Sequence, residues 1–420
     1  MKELFKNRLF VRLFAASFAS QLGTTIGNMA FAFYLLDRFA GRPAYASAAE
    51  LMYSLPTLFV FFLVGVLADR FDRRRIAANS SWIRLGLTGL LLSSLFIGQL
   101  PLVFAILFLC SAVAKFYAPA ETALLQGTLD EDHYVAASGL NQMLFGVFTM
   151  FGLGMGAIAY STLGIYGAVC VDAAGFLVSA LLLQNCPFPA EVRRPGGPSA
   201  WHSMQLRSAF GDFREGLVYV LRNRLLLALI GGFFLFGFLN GGFAVLLMFT
   251  MRYKLAAADY KTFSSLFAVF LGIGILIGSA LAPLLVNRLK PHVVIIGALF
   301  LVGGFVILLG FVGDPWVYLS LVLVLGLIIA PLNVAIGGWI PRIVEPAMMV
   351  LVSAWNDPVL MLGQSITLGL ISLLYPGVIS LQFIYLALAG FILAAFVLFS
   401  LTLPKLSGQG AQPVQAPAAK

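Results

Sequence analysis

Residues 65–75 read Gly65-Val-Leu-Ala-Asp69-Arg70-Phe-Asp72-Arg73-Arg74-Arg75. This charged stretch closes one apolar run, near 48–68, and precedes another, near 78–98. A helix needs about 20 mostly apolar residues to cross a bilayer, and both runs meet that length. Working outward, further runs fall near 10–36, 101–121, 137–160 and 163–184. After a polar stretch come six more, near 225–249, 262–286, 292–312, 315–340, 348–375 and 378–402. The pattern predicts twelve spans, six on each side of one linker.

Composition agrees. The 420 residues are 61% hydrophobic and 10% charged, where a soluble chain carries roughly 45–50% apolar and about 25% charged residues. Mean hydropathy is +0.98. Soluble enzymes, nucleic-acid-binding domains and disordered hubs are excluded on these numbers. A β-barrel would alternate apolar with polar residues and dilute the hydropathy. The expected fold is therefore an all-α polytopic membrane protein. Its parts are an N-terminal six-helix bundle (1–184), a linker (185–224), a C-terminal six-helix bundle (225–403) and a disordered tail (404–420) rich in Pro, Gly, Gln and Ala.

The net charge of +9 follows from orientation. With the N-terminus in the cytoplasm, 21 of the 26 Lys and Arg fall on the inner side, Arg84 and Lys115 among them as snorkelling side chains. The outer loops hold only Arg38, Arg42, Arg252, Lys254 and Lys261. The positive-inside rule then places both termini in the cytoplasm, and no nucleic-acid partner is needed to explain the basicity. Asp37 and Glu50 fall near the outer surface, where solvation is expected. Cys110, Cys170 and Cys186 read as small buried or interfacial residues. His133, His202 and His292 lack metal-ligand spacing, so no metal or cofactor is expected.

The two halves resemble each other. Asn28-Met-Ala-Phe31-Ala32 has a counterpart in Asn240-Gly-Gly-Phe243-Ala244, 212 residues on. Ala118-Pro119 recurs as Ala330-Pro331, Ser138-Gly-Leu-Asn141 as Ser353-Ala-Trp-Asn356, and Asp69-Arg70 as Asn287-Arg288. The matches keep their order along both halves. An even number of spans per half makes this a parallel repeat about an axis along the membrane normal. Such proteins place their substrate site near the midplane, between the halves.

The opening stretch resembles the loop 2–3 signature of the major facilitator superfamily, which runs Gly, three residues, Asp-Arg, one residue, Gly, then two basics. Gly65, Asp69, Arg70, Arg73 and Arg74 match it, while Asp72 stands where many members have Gly. The resemblance implies a gating role for this loop, with the Asp69 carboxylate latching the cytoplasmic end of a C-half helix, span 11, in the outward-open state. Phe116-Tyr-Ala-Pro119-Ala-Glu-Thr-Ala and Val171-Asp172-Ala-Ala-Gly-Phe176 are similar to segments of bacterial macrolide-efflux-like and enterobactin-exporter-like facilitators. Lysophospholipid transporters share something like Pro331-Leu-Asn333. Two departures stand out. Gly152-Leu-Gly154-Met-Gly156 lacks the proline of the span 5 signature of drug antiporters, and Leu22-Gly23-Thr24 has no acid after the Leu-Gly of span 1.

Polar residues inside apolar spans need protein or a wet cavity in front of them. Gln21, Thr24, Thr25 and Asn28 share one face of span 1. Ser353, Asn356, Asp357 and Gln364 make a similar face in span 11, with Asn240 and Asn333 added from spans 7 and 10. Hydrogen bonding that glues helices together is the competing reading for each single amide. Gly272, Gly274 and Gly278 in span 8 read as packing. Asp172, on a span the family uses as periphery, reads as a structural acid. Asp357 is followed by Pro358, which frees backbone carbonyls and can bend the helix, so it is the candidate for proton coupling.

These residues lead to a secondary active transporter of the bacterial cytoplasmic membrane. It is expected to export an amphipathic or lipophilic organic compound by alternating access, as a monomer among membrane lipids, with protons as the candidate coupling ion. The competing functions are lysophospholipid or lipid transport and a non-transporting scaffold or sensor. Nothing in the chain points to an enzyme.

Overall fold

The computed structural model describes residues 4–61, 71–129, 131–193, 224–289, 291–343 and 346–407. The chain divides into two compact units, Met1–Ala209 and Phe210–Lys420. Among the described residues there are helices and no strands. Ten of the helices are long and apolar enough to cross a membrane.

The first unit holds α1 (Arg8–Arg38), α2 (Ala44–Ser54), α3 (Arg73–Ile97), α4 (Leu100–Thr128), α5 (Glu131–Gln184) and the short α6 (Ala190–Arg193). The α1 helix starts where the Asn7 side chain accepts from the backbone N–H groups of Leu9 and Phe10, at 3.0 and 3.3 Å, satisfying donors that have no partner within the helix. Asp72 does the same for α3, accepting from Arg75 N at 3.2 Å. The α5 helix is broken at Gly164, whose φ of +66° and ψ of −176° lie outside what an L side chain adopts. The break falls at the second residue of the run read as 163–184, just past the end of the run read as 137–160.

The second unit holds α7 (Arg224–Thr250), α8 (Tyr260–Arg288), α9 (Pro291–Phe311), α10 (Pro315–Ile343), α11 (Pro346–Leu374) and α12 (Leu381–Ser407). A π-helical turn, Met251–Leu255, extends α7 beyond the end its hydropathy marks.

Both units pair their helices in the same order. In the first, α1 packs on both parts of α5, α2 on α4, and α3 on α4 and on residues 165–184. In the second, α7 packs on α11 and α12, α8 on α10, and α9 on α10 and α12. Close approach rests on glycine. A Cβ on Gly27 would lie 3.1 Å from Asp172 Cβ, and one on Gly23 3.0 Å from Asp172 Cα. Gly363 on α11 faces the Phe234 carbonyl of α7 in the same way, and Gly274 and Gly278 sit on α10. Outward-facing side chains such as Phe59, Phe96, Leu276 and Leu373 are exposed and apolar, as a lipid-facing surface requires.

Candidate functional site

Each unit contains a cavity. In the first it measures about 240 Å³ and lies among α1 to α5. Thr24, Asn28 and Phe31 line it from α1, Tyr53 from α2, Arg84 and Thr88 from α3, Cys110, Ser111 and Lys115 from α4, and Asp172 and Phe176 from α5. Arg84 sits near the middle of the 25-residue α3 and is 8% exposed. At 1.5 Å per residue, either helix end is about 16–20 Å away, so the guanidinium cannot reach a surface. Its expected snorkelling is therefore corrected: Arg84 is held inside. Nη2 donates to Thr24 Oγ1 at 2.9 Å, Nη1 to Ser20 Oγ at 3.5 Å, and the guanidinium lies 3.9 Å from the centre of the Phe176 ring. Thr24 Oγ1 in turn donates to Asp172 Oδ1 at 3.2 Å. A hydroxyl thus stands between cation and carboxylate, and among the described residues Arg84 makes no ion pair.

The cavity of the second unit is larger, about 690 Å³, and its chemistry differs. Phe233, Phe236, Leu239, Phe243, Phe267, Leu271, Val302, Leu325, Ile329 and Ile336 wall it, and among the described residues Asn240 and Asn333 are its only polar lining residues. Counting on 212 residues from Thr24, Asn28 and Phe31 arrives at Phe236, Asn240 and Phe243, so the repeat places equivalent positions on both cavities. One cavity kept the amide and gained ions; the other kept the amide and gained aromatic rings.

A third arrangement lies beside the charged loop. Asp72, besides capping α3, takes a forked ion pair from Arg193 of α6, with Nε at 3.1 Å from Oδ2. Arg74 donates to the carbonyls of Gln184 and Cys186 at 3.2 and 3.1 Å, and Arg12 to that of Asn185 at 3.3 Å. Cations belong at a helix C-terminus, and here the carbonyls of the last residue of α5 and of the two that follow it are tied by α1 and α3.

The Major Facilitator Superfamily profile matches residues 13–367. The chain belongs to that superfamily. It is 50% identical over 411 residues to the MFS-type transporter YkuC of Bacillus subtilis (strain 168), covering 98% of this chain and 96% of that one. It is 24% identical over 302 residues to macrolide efflux protein A of Streptococcus pyogenes, covering 70% and 71%. Among solved structures, a POT family peptide transporter in complex with alafosfalin superposes with a TM-score of 0.72 at 13% identity, covering 95% and 94%, a likeness of fold alone. This facilitator is accordingly a multi-pass membrane protein of a transporter family, not of an enzyme family.

Of the facilitator's expected site residues, Thr24, Asn28 and Asp172 line the first cavity, and Asn240 and Asn333 the second. Gln21 bonds back along α1 to Ser17 at 3.2 Å. Thr25 packs near Gly152 of α5. Asp357 is exposed on α11. Gly65, Asp69 and Arg70 lie outside the described residues, as do the side chains of Ser353 and Asn356. Glu50, expected to be solvated, is half-buried one turn before Tyr53. Arg84, Tyr53 and Lys115 were not read as cavity residues. A cation in the middle of an apolar span is by itself a functional signal, and that signal was available for Arg84.

Proposed function

We propose that this facilitator exports amphipathic or lipophilic organic compounds by alternating access, as a monomer of twelve spans with both termini in the cytoplasm. The observation that carries the reading is the 690 Å³ cavity, walled among the described residues by rings and aliphatic chains with two amides and no charge. Apolar ligand surface buried there contributes about 25 cal/mol per Å², and the amides fix orientation. A sugar phosphate or dicarboxylate would ask for arginines on that wall, and the described lining residues include none. The name of macrolide efflux protein A supports the outward direction.

In this reading Gln21, Thr24, Thr25, Asn28, Asn240, Asn333 and Asn356 face the cargo, Asp357 couples a proton, and the Asp69-Arg70 loop gates. In proteoliposomes the purified protein should move a lipophilic dye. Lysophospholipid movement, with no flux across a broad panel of dyes and drugs, would replace the cargo class; no flux of either would leave a scaffold. Asp69→Asn should lower dye flux at least several-fold with expression unchanged, and parental flux in that variant would reduce the loop to a topological signal.

A further inference from the structure

Arg84 and Tyr53 share a feature that their neighbours do not supply. Arg84 Nε–H and Tyr53 O–H are both buried, and neither has an acceptor among the described residues. Both side chains line the 240 Å³ cavity. A buried donor with no acceptor is unfavourable, more so when it carries charge. Thr24 Oγ1 takes Arg84 Nη2 and the Asp172 carboxylate receives the Thr24 hydroxyl, and among the described residues neither accepts from Arg84 Nε or from the Tyr53 hydroxyl. Among the described residues the charged lining is two cations, Arg84 and Lys115, against one carboxylate, Asp172.

We infer that the cavity of the N-terminal bundle is a binding site for an organic anion, whose carboxylate, sulfonate or phosphate is held by Arg84 Nε and the Tyr53 hydroxyl. A planar guanidinium presents Nε–H and an Nη–H as one fork suited to such a group. The Phe176 ring under the guanidinium fixes its plane, and Thr24 fixes its rotation through Nη2. Phe31, Leu91 and Leu107 supply apolar wall for the rest of the ligand. Asp172 sits on the far side of the Thr24 hydroxyl from Arg84, so it weakens the site's positive field without occupying the donors. The inference rests on this cavity being part of the cargo path, and it narrows the cargo to amphiphiles bearing an acidic head. The same chemistry fits the phosphate of an anionic lipid.

The test uses the full chain in phosphatidylcholine nanodiscs, with naphthalene-2-sulfonate and the (2-naphthylmethyl)trimethylammonium ion as matched probes, read by calorimetry. The sulfonate should bind and the ammonium ion should not displace it. Arg84→Gln should weaken sulfonate binding by about tenfold or more, and Tyr53→Phe by a few-fold, as expected for lost hydrogen bonds to a charged group. Asp172→Asn should tighten it, because a like charge has gone; a purely structural Asp172 would not do that. Should Arg84→Gln fail to fold, Tyr53→Phe and Asp172→Asn still decide. Tighter binding of the ammonium ion, or sulfonate affinity equal to the parent in the folded variants, overturns the inference. Phosphatidylglycerol added to the discs distinguishes the sources: if it abolishes sulfonate binding, the site holds a lipid phosphate; if binding survives, it holds soluble cargo. Because no flux is measured, failure here leaves the export reading standing, and a protein that binds the sulfonate yet moves nothing sinks the export reading alone.

Discussion

Thr24 is the residue on which the first cavity turns. Its Oγ1 receives Arg84 and gives to Asp172, so one hydroxyl satisfies two ions that do not touch. Thr24→Val keeps the shape and removes both bonds. It should cost about 1–3 kcal/mol, seen as a lower melting temperature of the purified protein, and Thr24→Ser should recover most of it. Equal melting of Thr24→Val and parent would mean that the bridge adds no stability. The threonine was legible as a polar residue on a cavity face, because Gln21, Thr24, Thr25 and Asn28 recur at helical spacing. Its partner was not. Arg84 follows nine residues after the Arg73-Arg74-Arg75 cluster, and counting positives by side absorbed it into the inner loop. Asp172 reads as structural because the family resemblance puts its span at the periphery, and its link through Thr24 to Arg84 is not written in either local sequence.

At the scale of elements, hydropathy marked the ten described helices that are long and apolar enough to cross a bilayer, because lipid tolerates only backbones that bond within themselves. The Gly164 break lies two residues beyond the gap between two apolar runs. What hydropathy could not reveal is pairing, since every face of a span is apolar. Pairing is written instead in small residues, and their effect depends on what each one meets. On Gly363 a side chain would run into the Phe234 carbonyl of α7, whereas on Gly297 in α9 a Cβ meets nothing within 4 Å. Gly363→Val should therefore force α7 and α11 apart and abolish the monodisperse protein. Gly297→Ala should be neutral or stabilise by about 0.4–1 kcal/mol, because alanine restricts the unfolded chain. Size-exclusion profiles and melting curves of the two variants measure this directly; similar behaviour of both would show that the α7–α11 approach is slack. The loop motif shows the converse limit. Asp72 looked like a defect in a family pattern, yet it caps α3 and takes the Arg193 fork, a partner 121 residues away that no local reading reaches.

At the scale of the molecule, the two units share one helix pairing and hold cavities of opposite character. The repeat was legible from Asn28 and Asn240 because those amides line both cavities; the divergence was hidden because it lies in what surrounds them. That divergence bears on energy coupling, since each half carries one acid of interest. Asp172 is engaged by Thr24, in a cavity that also holds Arg84 and Lys115, with Tyr53 and Cys110 facing it and Glu50 on the same helix as Tyr53. Asp357 has no hydrogen bond or ion pair among the described residues, is exposed, and precedes Pro358 within α11. A proton carrier must meet water from each side in turn, which favours an accessible acid on a helix that can bend over one bonded inside its own bundle. If protons drive this facilitator, flux in proteoliposomes should respond to an imposed pH gradient in the parent and in Asp172→Asn, and lose that response in Asp357→Asn while downhill movement of the dye continues. Loss of the response in Asp172→Asn alone would move coupling into the first cavity, and a gradient response surviving in Asp357→Asn would remove that acid from the mechanism.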